Sequence, residues 1–330
     1  MKKQDLLDLV SGKLFSAGVK AGDSLVLAVS GGPDSMALLD VINKLYQTLS
    51  IKIVVVHVNH GLRNESKRDE EVVVDYCKKN DLKCVVKKVS VKKELGAKGG
   101  GIEEKARKLR YRVLRQVAKK KNAKYILTAH NSDDQVETII FNFLRGSSVK
   151  GLGGMRELTE DILRPLLGVA KADLLEYVKK QDIPFATDVT NKNLQFTRNN
   201  IRHKLLPNLR KFNPNLNEIL LRNSQMFQQI DLVLKSMAVH YLDLIGEVKN
   251  DKVKISISQL RELLPVIQIE VIKLAIKKVA SSLKDLKGIH FREILELLAS
   301  PNVKASKQLP GKLLASKAYD KITISRITQR

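Results

Sequence analysis

The sequence predicts an α/β domain built on a doubly wound parallel sheet, followed by a mainly helical C-terminal domain that ends in a hairpin. Three observations carry this. From residue 24 to about 142, strand-like and helix-like segments alternate. The strand-like runs are continuous and β-branched, as in IVVVHV at 53–58, the pattern of strands buried on both faces. From about residue 215 helical spacing takes over until KQLPGKLLASKAYDKITISRI, where a Pro-Gly turn and partial alternation predict a terminal hairpin. Two domains are expected, 1–214 and 215–330.

In order along the chain, MKKQDLLDLVSGKLF has the look of a leader peptide. Asp5 and Asp8 interrupt its apolar run, however, and Leu6, Leu7, Val10, Leu14 and Phe15 keep helical spacing, so it reads as an amphipathic helix. Strands are expected over 25–29, 53–58, 84–89 and 125–129, and helices over 35–49, 65–79, 102–121 and 133–144. In such sheets ligands sit beyond the carboxyl ends of the strands. Here those ends read SGGPDS, HVNHGLR and TAHNSDDQ, all polar and rich in potential ligands. The glycine tract 99–101 reads either as a loop that closes over a substrate or as a solvated connection. Another glycine-rich loop, GSSVKGLGGM, follows Arg145, and a helix is expected near 171–180. RNNIRHKLLP then leads into three helical patterns, NEILLRNSQMFQQIDLVLKSMAVHYLDLI, LRELLPVIQIEVIKLAIKKVA and HFREILELLAS.

Charge narrows the partners. Lys and Arg number 59 against 35 Asp and Glu, a net charge of +24. Residues 216–330 hold 19 basic and 11 acidic residues, so the excess is spread along the chain rather than held in one tail. That suits a polyanion such as nucleic acid, although a merely lysine-rich surface accounts for it equally well. Cys77 and Cys84 match neither a zinc site nor a redox C-x-x-C and read as reduced thiols. No apolar run approaches the roughly 20 residues that cross a bilayer. A cytoplasmic protein with no membrane partner is expected.

The turn after the first strand, SGGPDS, carries the chemistry. It lacks the lysine of a Walker A loop, and it is not a Rossmann G-x-G-x-x-G. Two glycines that admit an anion to the backbone, the hydroxyls of Ser30 and Ser35 and a helix N-terminus make a phosphate cradle. Pro33 suits the first helical turn. Asp34 would repel a phosphate unless a divalent ion, magnesium by its preference for oxygen ligands, lies between them. The plainer reading is a helix cap after a tight turn.

SGGPDS after a strand resembles the pyrophosphate-binding loop of the PP-loop ATP pyrophosphatase superfamily. HVNHGLR (57–63), GIEEKARKLRY (101–111), TAHNSDDQVET (128–138), LRGS (144–147), RPLL (164–167) and RNNIRHKLLP (198–207) follow in that order. Together they resemble the tRNA(Ile)-lysidine synthetase family over about the first 207 residues. The remainder resembles it more weakly, through LPGKLLASKAYDKITIS, and looks like the family's short form with one C-terminal domain. The resemblance implies a PP-loop fold of the adenine nucleotide alpha hydrolase-like kind. It further implies a catalytic domain over 1–214 and a tRNA-binding domain over 215–330. The implied reaction is ligation of free lysine to C2 of the wobble cytidine of a CAU-anticodon tRNA(Ile). ATP would adenylate the C2 oxygen, and lysine's ε-amine would displace AMP.

On that reading Ser30, Gly31, Gly32, Pro33, Asp34 and Ser35 bind ATP, Ala28 and His57 frame its adenosine, and Asp34 holds Mg²⁺. Asp134 and Glu137, three apart on one helical face, bind lysine; acids at a helix start are also ordinary capping choices, which suffices for Asp133. Arg107 and Arg110, three apart on one helical face, either neutralise phosphate or developing negative charge or form a solvated basic face, Arg110 being the one expected in the site. His130 is either a base for the ε-amine, with an imidazole pKa near ~6.5, or a hydrogen-bonded core residue. His57 and His60 are structural or contact substrate. Arg198, Arg202 and His203 contact tRNA phosphates or form a hinge ion network. The family often has a second histidine where Asn131 stands, which suggests a change around the site rather than in its chemistry. A homodimer is compatible with the sequence. The rivals are a PP-loop tRNA thiolase, an amidotransferase-type ligase and a non-catalytic RNA-binding protein on a decayed ATPase fold. The first two lack suitably placed cysteines, and the third predicts broken site residues.

Overall fold

The computed structural model describes residues 3–59, 66–89, 102–186, 197–249, 251–280 and 286–327. The elements up to the end of the first sheet are α1 (Lys3–Ser16), β1 (Ser24–Ala28), α2 (Pro33–Leu45), β2 (Lys52–Asn59), α3 (Ser66–Lys79), β3 (Cys84–Lys88), α4 (Ile102–Lys120), β4 (Ala123–Thr128), α5 (Ser132–Leu144), α6 (Val149–Leu152), β5 (Leu158–Thr159) and β6 (Ile162–Leu163). They are followed by α7 (Lys171–Lys180), α8 (Thr197–Asn200), a π-helical turn (Ile201–Leu205) and α9 (Leu206–Phe212). A long helix, α10 (Leu216–Ile245), follows. The compact units are Met1–Met226 and Phe227–Arg330, so the division falls within α10.

In the first unit the strands lie in the order β3-β2-β1-β4-β6-β5. All pairings are parallel except β5 with β6. Alternate residues of each strand serve opposite faces. Leu25, Leu27, Val55 and Leu127 pack with Leu6, Val10 and Leu14 of α1, with Met36 and Leu39 of α2, and with Leu174 of α7. Val26, Val54, Val56 and Ile126 pack with Leu114 and Val117 of α4 on the other side. With both faces covered, the central residues of these strands, 25–27, 54–57 and 126–128, are buried whichever way they point, which is why the runs read as continuous rather than alternating. Strand order reverses between β1 and β4, the switch point at which a doubly wound sheet opens a crevice. The expected first helix, α1, is present and buries Leu6, Val10 and Leu14 in the core. A buried polar knot fixes α2, whose first turn forms the cradle. Asp40 accepts from the hydroxyls of Tyr76 at 2.8 Å and Tyr177 at 2.6 Å, and from the Lys44 ammonium.

The second unit carries β7 (Gly246–Lys249), β8 (Lys252–Ser256), α11 (Ile257–Arg261), α12 (Pro265–Val279), α13 (Gly288–Ala299), β9 (Lys304–Leu309), β10 (Leu313–Ala318) and β11 (Lys321–Arg326). The expected terminal hairpin is present and belongs to a larger antiparallel sheet, β7-β8-β11-β10-β9. Its apolar face, including Ile255, Leu313, Ala315, Ile322 and Ile324, is covered by α12 and α13. The single helical pattern of LRELLPVIQIEVIKLAIKKVA is broken into α11 and α12, with Pro265 at the first helical position of α12.

Candidate functional site

The cradle is built at the carboxyl end of β1. Val29 donates its backbone N–H to the carbonyl of Val56, and His57 donates from Nδ1 to the carbonyl of Val29 at 2.9 Å. The His57 imidazole is 3% exposed, and burial lowers its pKa. Its side chain is spent on holding the strand end, so any adenosine contact there would come from backbone groups. Ser30 donates its N–H to the Ser35 hydroxyl at 3.2 Å, and that hydroxyl donates to the carbonyl of Gly32 at 2.9 Å. Gly31 takes φ +94°, and a Cβ there would stand 2.9 Å from the carbonyl oxygen of Asp69. Only glycine fits. Gly31→Ala is expected to cost about 2 kcal/mol of stability and to weaken nucleotide binding, read by urea unfolding and by nucleotide titration.

Asp34, in the first turn of α2, joins this cradle to a second group of acids. Its Oδ2 accepts from the Asn131 amide at 3.1 Å, whereas its Oδ1 is buried without a hydrogen-bond partner. Burial pushes the carboxyl up to about 6, with Lys171 opposing the rise and Asp134 adding to it. An orphaned, buried carboxylate oxygen beside a phosphate cradle fits a divalent cation. Among the described residues no three His, Cys, Asp or Glu side chains converge to hold a metal alone. Such an ion would therefore be shared between Asp34, phosphate oxygens and water, as magnesium usually is.

Asn131 caps α5. Its Oδ1 accepts from the N–H of Asp134 at 3.0 Å, and its own N–H donates to Asp134 Oδ2 at 3.1 Å, a reciprocal capping box. One side chain thus orients both Asp34 and Asp134. Asn131→Ala is expected to lower stability by about 1 kcal/mol through the lost cap and to raise the Asp34 pKa further, measured by unfolding and by carboxyl titration. The pattern N-x-x-D before an apolar run was the signal for this residue.

Asp134 and Glu137 do share a face, and a cation already lies on it. Arg202 donates from Nε to Glu137 Oε1, and from Nη2 to Glu137 Oε2 at 3.0 Å and Asp134 Oδ1 at 3.2 Å. Glu137 is 6% exposed; burial raises its pKa while Arg202 opposes the rise. Of the two readings of Arg202, contact with tRNA phosphates or an ion network, the structure shows an ion network, and its partners are the acids of α5. Asp133 is turned away to the backbone N–H of Lys171 at 3.0 Å and to Arg210 at 3.2 Å. Gln135, unforeseen from the sequence, is buried and pairs with Met155 as a strand would. It donates to the Met155 carbonyl at 2.9 Å and accepts from the Met155 N–H at 2.7 Å.

Arg107 and Arg110 lie over the Tyr111 ring at 5.1 and 5.6 Å, and burial lowers the pKa of Arg110. Arg198 and Arg145 lie over Phe141, at 5.2 and 5.1 Å. His130 bonds through Nδ1 to Thr128 Oγ1 at 2.8 Å. The near-neutral imidazole pKa expected for it is not found. Burial, with Arg164, Arg107, Arg110 and Arg198 around it, pushes the pKa down to about 3. A proton there would add another positive charge to an arginine cluster, so the ring is held neutral. His60 and the glycine tract 99–101 lie outside the described residues.

The PP-loop domain family matches residues 7–209. The tRNA(Ile)-lysidine synthase of Pseudothermotoga lettingae is 40% identical over 195 residues, 59% of this chain and 44% of that protein. That of Bacillus cereus is 32% identical over 313 residues, 92% of this chain and 65% of that protein. The first of these is more than twice as long as the matched stretch, and the chain spans about half the length of several of its curated relatives. A U34-tRNA thiolase, NcsA from Methanococcus maripaludis with its [4Fe-4S] cluster, superposes with a TM-score of 0.57 at 17% identity, over 68% of this chain and 78% of that one. The shared fold, the cradle at its switch point and the match over most of the first unit agree: the chain belongs to the PP-loop family.

Proposed function

We propose that this protein ligates free L-lysine to C2 of the wobble cytidine of a CAU-anticodon tRNA(Ile), using ATP and releasing AMP and pyrophosphate. One observation carries the reading: Asn131 links the phosphate cradle, through Asp34, to a pair of acids suited to an ammonium. An ATP cradle and an amine pocket within one hydrogen-bond chain suit a reaction in which an adenylated oxygen is displaced by an amine. The similarity to curated tRNA(Ile)-lysidine synthases supports the same assignment.

In this reading Ser30, Gly31, Gly32, Pro33 and Ser35 hold the pyrophosphate end of ATP, and Ala28 and the strand end at His57 border the adenosine. Asp34 would hold Mg²⁺ with the phosphates; that ion, when bound, offsets charge on the leaving pyrophosphate. The C2 oxygen of the cytosine attacks the α-phosphorus, and pyrophosphate leaves. Arg110 offsets the charge that develops on the phosphate. Asp134 and Glu137 hold the ε-ammonium; Glu137, its pKa raised by burial, is suited to accept the proton. The free amine then attacks C2, and AMP departs with the oxygen. His130, held neutral, acts as a hydrogen-bonding group. The basic second unit and the overall charge of +24 suit binding of tRNA, and a cytoplasmic setting follows from the same substrates.

The test is incorporation of labelled lysine into unmodified CAU-anticodon tRNA(Ile) with ATP. The expected result is one lysine incorporated and one AMP released per tRNA. AMP release without lysine incorporation would overturn the assignment of the nucleophile.

A further inference from the structure

We infer that Arg202 is a built-in occupant of the amine pocket, one that nucleotide must draw away before lysine can enter. This rests on the reading of Asp134 and Glu137 as the ammonium subsite. Every carboxylate oxygen of the pair already accepts a bond: both Glu137 oxygens and Asp134 Oδ1 from Arg202, and Asp134 Oδ2 from the Asn131 backbone. An incoming primary ammonium carries the same charge and needs the same oxygens. The guanidinium is thus a substrate mimic, held by the chain itself.

Two features give it somewhere else to go. Asn131 bonds both to Asp34, at the end of the cradle, and to Asp134, which Arg202 contacts, so a polyphosphate seated at the cradle competes for the guanidinium. Guanidinium pairs with phosphate oxygens as readily as with carboxylates. Arg202 also rides on the π-helical turn Ile201–Leu205, between α8 and α9. Turns of this kind occur mostly as single interruptions of α-helices at functional positions, and from it the long, flexible Arg202 side chain can move to a new partner by rotamer change. Ile201 and Leu206, on either side of it, are buried in a small core with Val136 of α5, so the backbone holds and the movement is that of the side chain.

The consequence is an order of binding. Lysine affinity in the nucleotide-free protein is reduced by the fraction of time the pocket is open, and nucleotide removes that reduction. By linkage, lysine must tighten nucleotide binding by the same factor.

Calorimetric titration of L-lysine into the full chain, with and without a non-cleavable α,β-methylene ATP, tests this. The expected result is lysine binding at least about ten-fold tighter with the analogue, and an equal tightening of the analogue by lysine. In Arg202→Ala, lysine binds the nucleotide-free protein more tightly than it binds wild type and the factor falls towards one; Arg202→Lys, which keeps a cation, retains a factor above one. Equal lysine affinity in wild type with and without nucleotide overturns the inference, as does an unchanged factor in Arg202→Ala. Glu137→Gln separates the two readings. If it leaves lysine binding intact, or if lysine binds in no state, the subsite assignment falls and this inference with it. If Glu137→Gln weakens lysine but Arg202→Ala leaves the factor unchanged, only the place-holder role falls.

Discussion

Asp34→Asn is expected to be more stable than the natural protein near about pH 8 and nearly inactive. Its carboxyl, raised from 3.8 to about 6 by burial, is held in a setting that disfavours its charge. In acid below about pH 3 the group is neutral whether the chain is folded or unfolded, so the substitution removes no charge penalty. As pH rises through the unfolded value and on past 6, the unfolded chain ionises freely while the folded one ionises against burial. The penalty grows across that window and is complete above it. Two pKa units correspond to about 3 kcal/mol, and partial access to solvent reduces this to about 2 kcal/mol. Urea unfolding of both proteins in acid and near about pH 8 reads the difference directly. A variant less stable than wild type at the higher pH would show that Asp34 is stabilised where it stands. If Asp34 holds magnesium as proposed, charge on the departing pyrophosphate would go unbalanced without it, and tRNA-dependent ATP–pyrophosphate exchange should fall on the order of 10³-fold.

Glu137→Gln separates the two half-reactions. The cradle is untouched, so adenylation of the tRNA and pyrophosphate exchange continue. The amide keeps the shape of the side chain but loses the charge proposed to hold the ammonium and the basicity proposed to accept its proton. Removing one partner of a buried, hydrogen-bonded charge pair costs about 2–5 kcal/mol. Lysine transfer should therefore drop by about a hundred-fold, mostly through a raised KM for lysine, while adenylated tRNA accumulates. A matching loss of pyrophosphate exchange would instead place Glu137 with the nucleotide.

The elements that were legible in the sequence are those whose burial is symmetric. Leu25, Val26 and Leu27 are all without exposure, so β1 leaves an uninterrupted apolar mark, and the glycines of SGGPDS mark where it ends. Strands β5 and β6 are two residues each, too short to carry a period. Strand β7, GEVK, is largely exposed and carries no apolar face of its own. The acids of the site were legible because they are neighbours on one helix. Arg202 was not, because its partners lie 65 and 68 residues away; nothing local distinguishes a guanidinium that enters a pocket from one that meets solvent. His130 shows the same limit in reverse. Its place at a strand end was readable, but its proton affinity is set by arginines drawn from α4, α8 and the segment after β6.

Gln135 has a consequence for how this protein can vary. By making both backbone hydrogen bonds of Met155, a single side chain stands in for a neighbouring strand. Gly154 beside it, at φ +62°, leaves no room for a Cβ, which would meet the Gln135 amide at 2.7 Å. The segment from Arg145 to Gly153, α6 included, is therefore closed at its far end by a clamp that does not depend on the segment's own sequence. A side chain at position 154, by contrast, meets both the Gln135 amide and the strain of its own left-handed backbone.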